Sequence, residues 1–410
     1  MKLPSRVLVV GLARSGQGAA YALAKRGVEV VGFDRDQVDT GRLADAGVEV
    51  HLGSEEGSLL DAVELVVKSP GVPGEAPLVA EARTRGIPVW SEVELGYRLL
   101  PAKLVGVTGT NGKTTTSELL GAMLGAPVAG NVGRALTELD GSVGEDNWVV
   151  CELSSFQLED VHELQPDVAV LLNLEPDHLD RHGSLEDYRA AKLRIFENQQ
   201  AGDTAVVPRG FDDVPGSAAR VEFGADDDLP AEPLIPGAHN RENAAAATAA
   251  ARAVGATDGQ IADALSTFPG VEHRLELVLE QNGVRYVNDS KATNTSAARR
   301  AIAAYEEPLR IILGGQGKGE SYTELALDLR GRARRAYLIG ETARELALAL
   351  ELADVDHVQS GDLETAVRAA VREAKPGEVV LLAPACASYD QFRDFEERGE
   401  EFKRLVRELT

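Results

Sequence analysis

Short apolar runs alternate along the chain with stretches whose apolar residues recur every three or four positions. Runs at 6–12, 28–33, 65–68 and 88–90 have strand length, and 16–26 has helical spacing. Strand–helix alternation predicts a parallel sheet faced by helices, a Rossmann-like first domain over residues 1–92. The pattern resumes with strands at 104–107, 147–153, 167–174 and 203–208, and helices opening near 112, 188 and 237. These make a central parallel-sheet domain over 93–270, in which 209–233, dense in Asp, Gly and Pro, reads as a surface hairpin or loop. Strands at 284–287, 309–313, 335–339 and 379–382, with helices at 295–305, 342–350 and 390–408, make a second, smaller Rossmann-like domain over 271–410. The expected fold class is therefore α/β in three domains.

Charge narrows what this scaffold does. The 66 acidic and 42 basic residues leave a formal net charge of −24, which argues against a nucleic-acid binder or an anionic-membrane binder. Cys151 and Cys386 sit among apolar or small neighbours and read as reduced core residues. The first apolar run is too short and too soon broken by Gly and Arg for a signal peptide, and no run approaches membrane-spanning length. A cytoplasmic protein without membrane insertion is expected.

The strongest chemical signal is Gly106-Val-Thr-Gly-Thr-Asn-Gly-Lys-Thr114, a strand entering a Gly-rich turn and then a helix. Amides of Gly109, Thr110, Asn111, Gly112 and Thr115 in such a turn cradle phosphate oxygens, and the helix N-terminus adds its dipole. Lys113 suits the β- and γ-phosphates, and the Thr114 hydroxyl suits Mg²⁺. Val107 stands where the strict motif has its first glycine. The central block thus reads as a P-loop-type ATPase domain.

Other candidates are weaker alone. The first turn, Gly11-Leu12-Ala-Arg-Ser15-Gly16, is not G-x-G-x-x-G. With Asp34 and Arg35 closing the next strand it fits a dinucleotide, or another nucleotide lying at the strand ends. Glu152, at a strand end, is a candidate Mg²⁺ ligand. His178 is a polar loop residue or a less usual ligand, and Lys192 by periodicity lies on a solvated helix face. Asn240 either caps the Ala-rich helix or serves a ligand, and Asn243 can offer an amide to a base edge.

Several segments together resemble the Mur ligases, the ATP-dependent amide-forming enzymes of peptidoglycan assembly. They are the phosphate turn, Gly237-Ala-His-Asn-Arg-Glu-Asn243, Glu152-Leu-Ser-Ser-Phe-Gln157 and Lys192-Leu-Arg-Ile-Phe196. Asn288-Asp-Ser-Lys-Ala-Thr-Asn294 and Pro384-Ala-Cys-Ala-Ser-Tyr-Asp-Gln-Phe392 look like the D-glutamate-adding branch. The resemblance spans essentially the whole chain. It implies a ligase that adds D-glutamate to UDP-N-acetylmuramoyl-L-alanine with ATP, for cell-wall biogenesis and so cell shape and division. It implies two Mg²⁺ sites drawing on Thr114, Glu152, His178 and a carbamylated Lys192, and gives Lys113, Lys192, His178 and Glu152 to catalysis. Asn240 and Asn243 would position ATP; Arg274, Asp289 and Lys291 would meet its ribose and phosphates. Thr293, Lys318, Ser388 and the backbone near Phe395 would receive D-glutamate. Asn131, Ser154 and Gln157 would line the lactyl-alanine arm, and Asp34 and Arg35 would meet uracil or its phosphates beside Gly11, Leu12, Ser15, Ser69 and Gly71. A monomer is expected. The rival readings are another Mur-type or folylpolyglutamate-type ligase, an NAD-binding oxidoreductase or sensor with a regulatory ATPase domain, and a silent binding protein.

Overall fold

The computed structural model describes residues 3–53 and 57–410. Three sheets form the frame. The first contains β1 (Arg6–Val10), β2 (Glu29–Asp34), β3 (Glu49–Leu52), β4 (Leu65–Lys68) and β5 (Val89–Ser91), in the order β3-β2-β1-β4-β5, all parallel. The second contains β6 (Lys103–Thr108), β7 (Val128–Gly130), β8 (Trp148–Glu152), β9 (Val168–Leu171), β10 (Thr204–Pro208) and β11 (Ala219–Phe223). Its order is β11-β10-β9-β6-β8-β7, again all parallel. The third contains β12 (Glu276–Gln281), β13 (Val284–Asn288), β14 (Leu309–Gly314), β15 (Ala333–Ile339), β16 (His357–Gly361) and β17 (Val379–Leu382), in the order β12-β13-β17-β14-β15-β16. Only β12 runs antiparallel there, paired with β13 among the described residues.

Central strands such as Val7–Val10 and Val379–Leu382 are buried on both faces, which is why they read as continuous apolar runs. Cys151 and Cys386 are both buried and unpaired by disulfide, as expected. The 209–233 stretch, expected as a surface hairpin or loop, is mostly loop but carries one strand. It supplies β11, parallel to β10, an edge strand with only Phe223 buried, so its apolar signal is faint. The last helix starts at Phe395 rather than 390, capped by Asp394, whose side chain accepts from Glu397 N.

The chain divides into two compact units. One holds the first two sheets, with residues through Glu232 plus Glu242–Ser266; the other holds Pro233–Arg241 and Thr267–Thr410. Inside the first unit, helix Glu92–Leu99 joins the two sheets. Its two buried glutamates fasten it. Glu92 Oε1 accepts from Thr137 N and Oγ1, both at 2.7 Å. Glu94 accepts the amides of His162, Glu163 and Leu164 and pairs with Arg98 at 2.6 Å. No helix among the described residues is long and apolar enough to cross a membrane.

Candidate active site

Topology assembles the site in the second sheet. Strand β6 lies between β8 and β9, so the turn after it sits at a strand-order switch, flanked by the ends of both neighbours. Gly109 and Gly112 take φ of +151° and +84°, which a side chain strongly disfavours. A Cβ on Gly112 would also lie 2.2 Å from Asn243 Oδ1, so this glycine and Asn243 form one surface. Gly112 then caps helix Lys113–Leu124, so the turn runs directly into the helix N-terminus.

The neighbouring strand end shapes the turn. Thr110 N donates to Asn173 O at 3.0 Å and Asn111 N to Asn173 Oδ1 at 2.8 Å. Asn111 Nδ2 donates to Glu175 at 2.8 Å, and the Thr110 hydroxyl meets Tyr188 OH at 3.0 Å. Asn173, Glu175 and Tyr188 therefore build the turn, although no site role had been expected of them. The signal available was their position just past β9 and at the start of the Lys192 segment.

Two lysines converge on one carbonyl. Lys113 Nζ and Lys192 Nζ both donate to Gly109 O, at 2.9 and 2.8 Å. Lys192 is 1% exposed, and no carboxylate lies within ion-pair distance of it among the described residues. Burial, reinforced by the Lys113 ammonium, lowers its pKa to about 6. This corrects the expectation of a solvated helix face: Lys192 is turned inward, onto the phosphate turn.

Glu152 is buried at the end of β8. Its Oε1 accepts from Asn131 Nδ2 at 2.9 Å, while Oε2 has no hydrogen-bond partner among the described residues. A buried carboxylate oxygen left unpartnered is costly, and a hard cation is the partner its chemistry fits. Thr114, on the first helical turn, adds a hydroxyl. The donor set thus fits Mg²⁺, and the turn fits a nucleotide phosphate. His178 stands apart. With φ of +51° it is half exposed, near Asp177 (3.5 Å) and the Phe156 ring (4.9 Å between centroids), and it makes no hydrogen bond to Lys192 among the described residues. Ser154 and Gln157 form a capping box at helix Ser155–Leu158.

At the first sheet, β1 and β4 diverge around another switch point. Gly11 (φ +87°) is locked there by Ser69 Oγ, which donates to Gly11 O at 2.7 Å. Asp34 accepts from Leu12 N at 2.6 Å and from Asp36 N at 2.9 Å, so its carboxylate shapes the glycine turn itself. Ser15 is half-buried, and Arg35 is exposed. No neighbour crowds Gly71, which leaves its backbone open to approach.

In the second unit, β17 lies between β13 and β14, so the segments bearing Asp289, Lys318 and Ser388 leave adjacent strands. Asp289 accepts from Leu275 N at 3.2 Å, and burial raises its pKa to about 6 despite Arg274 nearby. Lys291 Nζ lies 5.7 Å from the Phe395 ring, and Lys291 N donates to His273 O. Thr293 N donates to Lys291 O; Ser388 is buried, and Lys318 is exposed. Asn240 Nδ2 donates to Pro236 O at 2.6 Å, a local bond at the opening of its helix. Arg398, absent from the expected set, underlies the group: its guanidinium donates to the carbonyls of Ser290, Cys386 and Ala387.

Sequence models of three domains match this chain. They are the Mur ligase MurD-like N-terminal domain over residues 5–91, the Mur ligase middle domain over 107–222, and the Mur ligase glutamate ligase domain over 273–386. The chain belongs to the Mur ligase family. Among curated relatives, the UDP-N-acetylmuramoylalanine--D-glutamate ligase of Acidobacterium capsulatum is 41% identical, with 98% of this chain and 96% of that one covered. The enzymes of the same name from Shouchella clausii and Bacillus subtilis are 42% and 37% identical, each over 98% of this chain and 96% and 97% of theirs. Solved structures share the fold. The UDP-N-acetylmuramate-alanine ligase of Thermotoga maritima has a TM-score of 0.61 at 19% identity, over 99% of this chain and 100% of that one. The MurF ligase of Thermotoga maritima, in complex with ADP, has a TM-score of 0.60 at 18% identity, with both chains fully covered.

Proposed function

We propose that this chain is an ATP-dependent ligase that joins D-glutamate to UDP-N-acetylmuramoyl-L-alanine in cytoplasmic peptidoglycan precursor synthesis. The observation that carries the reading is near-full-length identity of 37–42% to enzymes of that activity. The phosphate turn, with two lysines on one carbonyl, supplies matching chemistry.

Residues 1–92 would hold the sugar nucleotide, 93–270 ATP, and 271–410 the amino acid. The substrate carboxylate attacks the γ-phosphate, ADP leaves, and an acyl phosphate remains. The D-glutamate amine attacks the acyl carbon, and phosphate departs from the tetrahedral intermediate. Such phosphoryl transfer relies on positioning and charge neutralisation. Lys113 and the turn amides would neutralise the phosphates; Asn131, Ser154 and Gln157 would orient the attacking arm. Asn243 and Asn240 would position the nucleotide, with Arg274, Asp289 and Lys291 toward its ribose and phosphates. Thr293, Lys318, Ser388 and the Phe395 backbone would hold D-glutamate.

Thr114 and Glu152 would hold one Mg²⁺, and His178 and a carbamate on Lys192 a second; these ions supply charge neutralisation between carboxylate and phosphate. A lysine with pKa near 6 is neutral at pH 7, the state that adds CO₂. The protein acts as a monomer in this reading.

The test is phosphate release from ATP with UDP-N-acetylmuramoyl-L-alanine and a panel of amino acids. D-Glutamate alone should support turnover. Equal turnover with L-glutamate, or turnover with a folate acceptor instead, would overturn the assignment.

A further inference from the structure

One side chain outside the expected set touches two of the segments assigned above and, through Phe156, reaches a third. Arg181 lies three residues after His178. Its Nη1 donates to Pro70 O at 3.0 Å and its Nη2 to Val72 O at 3.1 Å. These two carbonyls bracket Gly71 in the loop that begins at Ser69. The flat face of the guanidinium lies 3.8 Å from the Phe156 ring centre, between Ser154 and Gln157 in sequence. Phe156 in turn packs on His178 and stacks on His182 at 5.3 Å with an interplanar angle of 11°. Glu159 Oε2 stands 3.7 Å from Nη2, a loose counter-ion.

The loop is held from a second side. Buried Lys68 also donates to Val72 O, at 3.3 Å, and pairs with Asp160 at 3.1 Å. Arg83 pairs with Asp160 at 2.6 Å and donates to Gly74 O at 2.8 Å. Lys68 and Arg83 fix the loop to the middle sheet's periphery. Arg181 alone, among the described residues of this network, also reaches the ring beside His178.

We propose that Arg181 is a positioning residue for the ligase reaction. It sets the Ser69–Val72 loop, and the sugar nucleotide held there, against the Ser154–Gln157 and His178 segments. This rests on the ligase reading above. Two parallel N–H donors from one planar group fix both distance and orientation, which a lysine cannot reproduce. Misplacement by about 1 Å far from the reacting atoms costs ~100-fold in rate.

The experiment compares wild type, Arg181→Lys and Arg181→Ala in kcat and in KM for each substrate. Melting temperature and amide hydrogen exchange across residues 69–72 are read in parallel. Arg181→Ala should lose ~100-fold in kcat/KM for UDP-N-acetylmuramoyl-L-alanine, with KM for ATP unchanged. Arg181→Lys should recover little, millimolar methylguanidinium should partly rescue the alanine variant, and exchange across 69–72 should quicken. Wild-type kinetics in both variants would overturn the proposal. So would equal losses toward both substrates that track a fall in melting temperature without rescue. If wild type itself fails to turn over, the ligase reading falls, and the exchange measurement still decides whether Arg181 holds the loop: unchanged exchange overturns the tie.

Discussion

Two buried lysines of this protein, one in each compact unit, are held in opposite ways. Lys192 meets a carbonyl and a neighbouring ammonium, and its pKa falls to about 6. Lys403 meets Glu272 at 2.6 Å, Glu400 at 2.7 Å and Glu276 at 3.2 Å, and its pKa rises above the ordinary lysine range. Both side chains are nearly shut off from solvent, but Lys192 lies far deeper in the protein, and its charge is disfavoured where that of Lys403 is held. The difference lies in both depth and neighbours: desolvation opposes the charged form of Lys192, and three carboxylates favour that of Lys403. Glu272, His273 and Glu400 also have the spacing of a metal cluster, yet the Lys403 ammonium already fills that place. Lys403 is charge-balanced by its surroundings; the lysine facing the phosphate turn has no carboxylate within ion-pair distance among the described residues.

The contrast can be broken by substitution. Lys192→Ala should lower turnover by about 10³-fold, measured as phosphate release, and a short added carboxylate should restore part of it. A fully active variant would end the carbamate reading. Lys113→Ala should match that loss while equilibrium binding of a uridine nucleotide persists; loss of both would mean misfolding.

Lys403→Met should act on stability instead. It leaves three carboxylates facing one another, two of them well exposed, and should cost about 2 kcal/mol by denaturant titration. Its kcat should change less than about 3-fold, because its partners Glu272, Glu276 and Glu400 carry no role in the proposed reaction.

The pH dependence of stability sharpens the comparison further. The folded pKa of Lys192 lies below the unfolded 10.5, so between about 6 and 10.5 the unfolded chain binds more protons. Its contribution therefore grows more favourable as pH rises through that window. Lys403 has the opposite sign: its contribution is full below 10.5 and is lost as pH rises through its higher folded pKa. Lys192→Met should flatten the first slope, and Lys403→Met the second.

The smallest effect belongs to Glu92, whose pKa burial raises to about 7 from 4.5. Its contribution is fully present below 4.5 and is lost as pH climbs to about 7. Glu92→Gln should remove that decline, read as melting temperature across pH 4–8. A slope that persists in the variant would assign the decline to other groups.

Strands buried on both faces were legible because their apolar runs are unbroken; Val379–Leu382 could be little else. Of the edge strands, only β5 was read, at 88–90. In β11 only Phe223 is buried, and no residue of β12 is fully buried, so neither carries a continuous apolar signal. The phosphate turn was legible from its glycines and Lys113. Lys192 lies in a segment that resembles the family, but its inward turn was not legible, because helical periodicity cannot say which face a neighbouring loop will cover. Asn173 shapes the turn from a neighbouring strand end and Tyr188 from a helix, and Arg398 acts through carbonyls; such roles leave no local motif.

That last habit recurs at Arg181, which grips Pro70 O and Val72 O, and at Arg14, which reaches Gly133 O at 2.6 Å. A guanidinium bonded to main chain reads shape and ignores side-chain identity. The gripped loops can therefore drift in sequence while their anchors stay put. Comparison of homologues should find invariant arginines opposite variable partners, with little covariation to betray the joint.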